Sequence, residues 1–194
     1  WVDAEAFEAI LREANAATTA EHTEQFLQEA QILYKGSYLL EELYSEWAAP
    51  RRDALQRAWV GLLLDLANVR IEVALSSTNE RIKQRALNSA IEPLDRLRTA
   101  EPTNETALQR LMALLTQIDR RGEALEVYRQ HVTMLRRDYE SEPLPETADL
   151  YDALRKGHVP AIVTAPLLIQ RAVTAAEQSE APQADDTQES NLAT

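Results

Sequence analysis

Residues 103–145 read TNETALQRLMALLTQIDRRGEALEVYRQHVTMLRRDYESEPLP, and their spacing predicts two antiparallel helices with a very short connection. In the first, Leu108, Leu111, Met112, Leu115 and Ile118 recur at steps of three and four, which makes one apolar face. Thr103 or Asn104 is expected to cap its start, because a short side-chain oxygen satisfies the free amides of a first turn. Gly122 lies in the break Asp119-Arg120-Arg121-Gly122 and is the expected left-handed residue that reverses the chain. The second helix places Ala124, Leu125, Tyr128, Val132, Leu135 and Tyr139 on one face. It should end before Glu142-Pro143, since proline disfavours the helical conformation in the residue ahead of it. A hairpin of this kind cannot bury its apolar surface alone, so it asks for neighbours.

One neighbour is legible upstream. A shift of 34 residues puts Ala124 on Ala90 and Tyr128 on Leu94, with Pro102 at the exit. A small residue, a bulky one four later and an exit proline make the tetratricopeptide pattern, whose period is about 34. The small residue allows close helix approach and the bulky one fills the gap between hairpins. Two unrelated amphipathic helices in a bundle are the alternative.

The segment from Arg120 to Gly157 also resembles the closing part of the bacterial transcriptional activator domain. The motif residues are Gly122, Ala124, Leu125 and Tyr128, then Leu135, then Pro143, Pro145, Glu146, Thr147, Leu150 and Tyr151. The beginning agrees: Trp1-Val2-Asp3 with Phe7, Tyr34-Lys35-Gly36, and Glu46-Trp47-Ala48 with Arg52 are similar to the family's entry, loop and central helix. The resemblance covers residues 1 to about 156. It departs at Ser141-Glu142, where the family has a glycine, and at Ser76 to Gln84, which is longer than the family's turn. It implies an all-α, tetratricopeptide-like right-handed superhelix of antiparallel helix pairs. It further implies a domain that follows a winged-helix DNA-binding domain in antibiotic-regulatory-protein-type activators.

Composition narrows the function. The 194 residues suit one domain with a tail, and 45% hydrophobic content with four glycines suits packed helices. Without cysteine there is neither a disulfide framework nor a thiolate metal site. No apolar run approaches the ~18 residues of a membrane helix and no signal peptide is present, so a cytoplasmic location is expected. The chain starts at Trp1 without methionine and is read as a piece of a longer protein. Its net charge of −12, from 20 basic and 32 acidic residues, argues against direct DNA contact, which needs clustered Lys and Arg to displace counterions. Arg51-Arg52, Arg120-Arg121 and Arg136-Arg137 read as solvated faces or intrachain partners.

In chain order, Asp3 should cap a helix through about Ala16, with Phe7, Ile10 and Leu11 inward. Thr18 with Glu21 resembles a capping box, opening a helix that carries Phe26, Leu27, Ala30, Leu33 and Tyr34 and stops at Gly36. Ser37 to Ala49, rich in Tyr, Leu and Glu, reads as an irregular connector with one helical turn. From about Pro50 to Leu75 one long helix carries two apolar stripes: Leu55, Trp59, Leu62, Leu66, Val69 and Val73, and Val60, Leu63, Leu64, Ala67 and Ile71. A helix buried on two sides belongs mid-domain; coiled-coil pairing is the alternative. Thr78 should cap the helix Glu80 to Ala100, and Pro93 inside it predicts a kink or break near Ala90. Pro145 to Lys156 should form a helix over the open end of the hairpin. The domain is thus 1–156, an additional helix or extension 157–176, and an acidic linker 177–194 too poor in apolar residues to order itself.

No catalytic constellation stands out, and the chain reads as a non-enzyme with no cofactor and no metal. His22, His131 and His158 stand apart without the spacing of a metal site, and His131 reads as a core-edge or groove histidine. The feature left is the concave face of a helical array. There Thr106, Gln109, Ala113, Thr116 and Gln117, opposite the apolar stripe, would face a protein or peptide partner, or solvent alone. The resemblance favours self-association or contact with the transcription machinery, with relay of a signal to the winged helix. A ligand- or peptide-sensing module, with a small-molecule effector, and a generic scaffold are the alternatives.

Overall fold

The computed structural model describes residues 3–36 and 46–161, with only the backbone of Glu46. The connector 37–45, the extension beyond residue 161 and the linker 177–194 therefore lie outside the described residues.

The chain enters α1 (Ala4–Ala16) where the Asp3 carboxylate accepts the Ala6 amide at 3.1 Å. α2 (Ala20–Leu33) is capped by Thr19, whose hydroxyl accepts the His22 amide at 3.3 Å. The cap is thus one residue later than Thr18, and Glu21 falls one position short of a capping box. After a 3-10 turn at Glu46–Ala48, α3 (Ala49–Ser76) runs with Pro50 in its first turn. Asn79, not Thr78, caps α4 (Glu80–Ser89): its side-chain oxygen accepts the Arg81 and Ile82 amides. α5 (Ile91–Ala100), α6 (Glu105–Gln117, capped by Asn104), α7 (Arg121–Asp138) and α8 (Pro145–Arg155) complete the described helices. Among the described residues there is no strand.

Each helix packs chiefly on its chain neighbours: α1 on α2, α2 on α3, α3 on α4 and α5, α5 on α6, and α6 on α7, with α8 across α6 and α7. The long helix α3 is the centre. Residues 62–69 are buried all the way round, as its two stripes require, so neighbours within the chain cover both of them. Each buried leucine there contributes about 1.5–3 kcal/mol. Two polar residues sit in this apolar stretch. Asp65 and Asn68 are buried, and the Arg110 guanidinium of α6 donates to Asn68 Oδ1 at 3.0 Å. Burial lowers the Arg110 pKa, while the Asp65 charge opposes that shift.

The break before Pro93 falls at Ala90, between α4 and α5. Proline has no N–H for the carbonyl four residues back, which is that of Ser89. Arg70 of α3 supplies the missing donor: its Nη1 reaches the Ser89 carbonyl at 2.6 Å while its Nε donates to Glu24 of α2 at 2.8 Å. One guanidinium therefore joins α2, α3 and the kink.

The turn of the α6–α7 hairpin differs from the sequence expectation. Asp119 takes the left-handed conformation (φ 63°), and Gly122 lies inside the first turn of α7. Asp119 and Arg120 close the turn through the Thr116 and Leu115 carbonyls at 3.3 and 2.8 Å. Aspartate tolerates this region better than most residues because its short side chain bonds locally.

Candidate partner surface

The predicted groove face of α6 is mostly occupied from within. Gln109 Nε2 donates to Thr147 of α8 at 2.7 Å, and Gln117 Nε2 to the Pro160 carbonyl at 2.7 Å. Ala113 is buried, and so is Thr116, whose hydroxyl bonds back to the Met112 carbonyl. Thr106 alone of the five is exposed. Much of this face is therefore already engaged within the chain: α8 supplies the partner of Gln109, and Pro160, just beyond it, the partner of Gln117. The motif residues explain how α8 comes to lie there. Tyr128 of α7 and Tyr151 of α8 stack at 4.1 Å, with Leu125 and Leu150 packed on the core around them. Glu105 accepts the Leu144 amide with both carboxylate oxygens, at 2.9 and 3.0 Å, fixing the chain after Pro143 where α8 begins. Ala90, Leu94 and Ala124 are fully buried where neighbouring helices approach.

A concavity of about 1210 Å³ lies elsewhere, between α2, the first half of α3, and α4–α5. Its floor is aromatic: Tyr34 stacks on Trp59 at 4.4 Å, backed by Phe7 at 5.6 Å. The Arg96 guanidinium sits 5.4 Å from the Trp59 ring, a cation–π geometry. The Tyr34 hydroxyl donates to Gln56 Oε1 at 2.8 Å, and Gln56 Nε2 donates to Glu101 at 3.1 Å. Burial, then the Glu101 charge, raises the Tyr34 pKa, so its phenol stays a neutral donor. Gln31, Asn88 and Thr99 add polar groups, and Ile32 stands at the edge, 72% exposed. This cleft joins an apolar floor to a strongly polar rim, on which Lys35, Glu92, Asp95 and Arg120 stand beside Arg96. Sequence reasoning missed it because its walls come from helix ends far apart in the chain; the aromatic run Phe7, Tyr34 and Trp59 was the available signal.

The arrangement offers no nucleophile–base pair in the cleft, and among the described residues no group of three His, Asp or Glu is placed to hold a metal ion. His22 and His158 are exposed. His131 is buried, its Nε2 at 3.9 Å from Glu105 Oε1 without a hydrogen bond. The arginine pairs of the sequence have intrachain partners: Arg51 with Glu8, Arg120 with Glu123, Arg136 with Glu142, Arg137 with Asp138, and Arg121 with the Arg155 carbonyl. Among the described residues no helix is long and apolar enough to cross a membrane.

Antiparallel helices stacked along the chain, with small residues at the close approaches, define a tetratricopeptide-like domain. The profile of the bacterial transcriptional activator domain matches residues 2–155, and the chain belongs to that family. The family is regulatory and non-enzymatic, and the chain is a transcriptional-activator-associated domain. No curated protein and no solved structure matches the chain.

Proposed function

We propose that this domain is a cytoplasmic protein–protein contact module of a transcriptional activator, working by self-association or by relaying a signal to a winged-helix DNA-binding domain carried elsewhere. The observation that carries this reading is the pairing of surface charge. Among the described residues at least nine of sixteen arginines are tied to carboxylates of the same chain, on a chain of net charge −12, so little clustered basic surface is left for phosphates. Protein contact is a regulatory mode that suits a helical array of this charge. In a reporter assay, the chain fused to a heterologous DNA-binding domain that occupies its operator only as a dimer should restore repression. A fusion that stays inactive, together with a fragment that shifts DNA at physiological salt, would overturn the proposal.

The aromatic cleft favours one second reading, a peptide or small-molecule effector seated on Trp59 and Tyr34. Such a ligand stabilises the fold by RT ln(1 + [L]/Kd), so a thermal-shift screen tests it. A hit whose effect disappears in Trp59→Leu would support this reading; hits indifferent to Trp59→Leu would count against it.

A further inference from the structure

The charge is unevenly distributed. Residues 3–36, spanning α1 and α2, carry seven acidic side chains against two basic ones, whereas residues 77–89, spanning α4, carry Arg81, Lys83 and Arg85 against Glu80 alone. On α2, Glu21 and Glu29 are exposed and lie outside the ion pairs of the described residues, and Ile32 follows one turn after Glu29. On α4, Arg81 and Arg85 are exposed one turn apart, also outside those ion pairs, while Lys83 is held 3.8 Å from Glu80. Ile82 lies between them at 51% exposure, and Leu75, across the α3–α4 turn, is 58% exposed. At both places exposed charge adjoins a large exposed aliphatic side chain, and the prevailing signs are opposite, with Glu80 and the exposed Glu72 one turn before Leu75 as the acidic residues beside the basic strip.

The two helices are linked through α3. Both pack on α3, and the Arg70 guanidinium bonds Glu24 of α2 and the Ser89 carbonyl of α4. Acidic and basic strips therefore flank one helix. Two such surfaces placed face to face about a two-fold axis parallel to the helices bring each acidic strip onto the basic strip of the other copy. That is the self-complementarity a closed dimer requires.

We propose that the chain pairs with a second copy through this surface, α4 of each copy docking on α2 of the other, with Ile82 and Leu75 meeting Ile32. The inference rests on the self-association reading above and names its surface. Duplex DNA is the less favoured occupant of α4: three basic residues next to Glu80, on a chain of net charge −12, make a poor phosphate track. Exposed charge pairs contribute mainly to association rate and register, so the contact should weaken steeply with salt.

The test is sedimentation of the full chain at low and high salt, for the wild type, Arg81→Glu/Arg85→Glu, Glu21→Lys/Glu29→Lys, and the four-fold combination. Circular dichroism checks each fold. The expected result is a salt-sensitive dimer, a loss of affinity of about tenfold or more in each double variant, and recovery in the combination. Dimers indifferent to both reversals would overturn this surface and leave self-association standing. A monomer at every salt concentration would overturn both. A mobility shift of duplex DNA at physiological salt that vanishes in Arg81→Glu/Arg85→Glu would overturn it in favour of phosphate.

Discussion

Replacing Arg70 with methionine keeps the aliphatic stem and removes the guanidinium that joins α2, α3 and the kink. That side chain is 11% exposed and its Glu24 partner 28%. The bond from a charged donor to the part-buried Ser89 carbonyl, at 2.6 Å, is of the class that contributes about 1.5–3 kcal/mol. The partly exposed pair with Glu24 adds about 0.5–1 kcal/mol after screening. A loss of about 2–4 kcal/mol follows, which lowers the melting temperature by roughly 5–15 °C for a chain of this size. In Pro93→Ala the residue at 93 regains an amide for the Ser89 carbonyl, so Arg70→Met should cost about 1 kcal/mol less in that background. Urea denaturation followed by circular dichroism measures all four corners of the cycle. Strictly additive costs, or a loss below about 0.5 kcal/mol for Arg70→Met alone, would refute the role given to Arg70.

Asn79→Ala should cost about 1 kcal/mol as a lost helix cap, whereas Thr78→Ala should stay within about 0.5 kcal/mol of the wild type; denaturation midpoints of the two decide it. Gly122 lies within α7 and an added Cβ meets nothing within 4 Å, so Gly122→Ala should stabilise by about 0.5–1 kcal/mol. A loss of stability in that variant would return the left-handed turn to Gly122. Tyr151→Ala removes the ring stacked on Tyr128 and should cost about 1.5–3 kcal/mol, with proteolysis between α7 and α8 appearing before the rest of the domain is cut. Burial holds the His131 pKa below 6.5, against the opposing pull of Glu105 and assisted by Arg98. The folded state therefore binds fewer protons than the unfolded one. The His131 contribution is present above pH 6.5 and is lost as pH falls from 6.5 toward the lowered value. Denaturant titrations at neutral and mildly acidic pH should show that loss, and His131→Asn should flatten it.

The parts of the fold that depend on local pattern were legible. The two stripes of α3 required cover on both sides, and Pro93 required the break at Ala90. The tail motif from Pro143 to Tyr151 required a further helix. Cap positions were legible to within one residue, since Thr18 and Thr19, or Thr78 and Asn79, offer the same chemistry and only the helix start chooses between them. Glycine was a misleading signal for the hairpin turn, because Asp119 tolerates the left-handed conformation and comes three residues sooner. The intrachain engagement of the α6 face has a tertiary reason. Gln109 and Gln117 look outward from α6 by period, but α8 and Pro160 lie over them, and nothing in the α6 sequence reports that return. The cleft was illegible for the complementary reason: Ile32, Trp59 and Arg96 meet only once three helices have packed.

The most direct test of the central claim, that this chain works by contact with protein, is its solution mass by light scattering over a wide range of concentration at physiological salt. The expected result is a dimer that persists into the low micromolar range and dissociates on dilution. A strict monomer throughout would contradict self-association, and with it the surface assigned to α2 and α4.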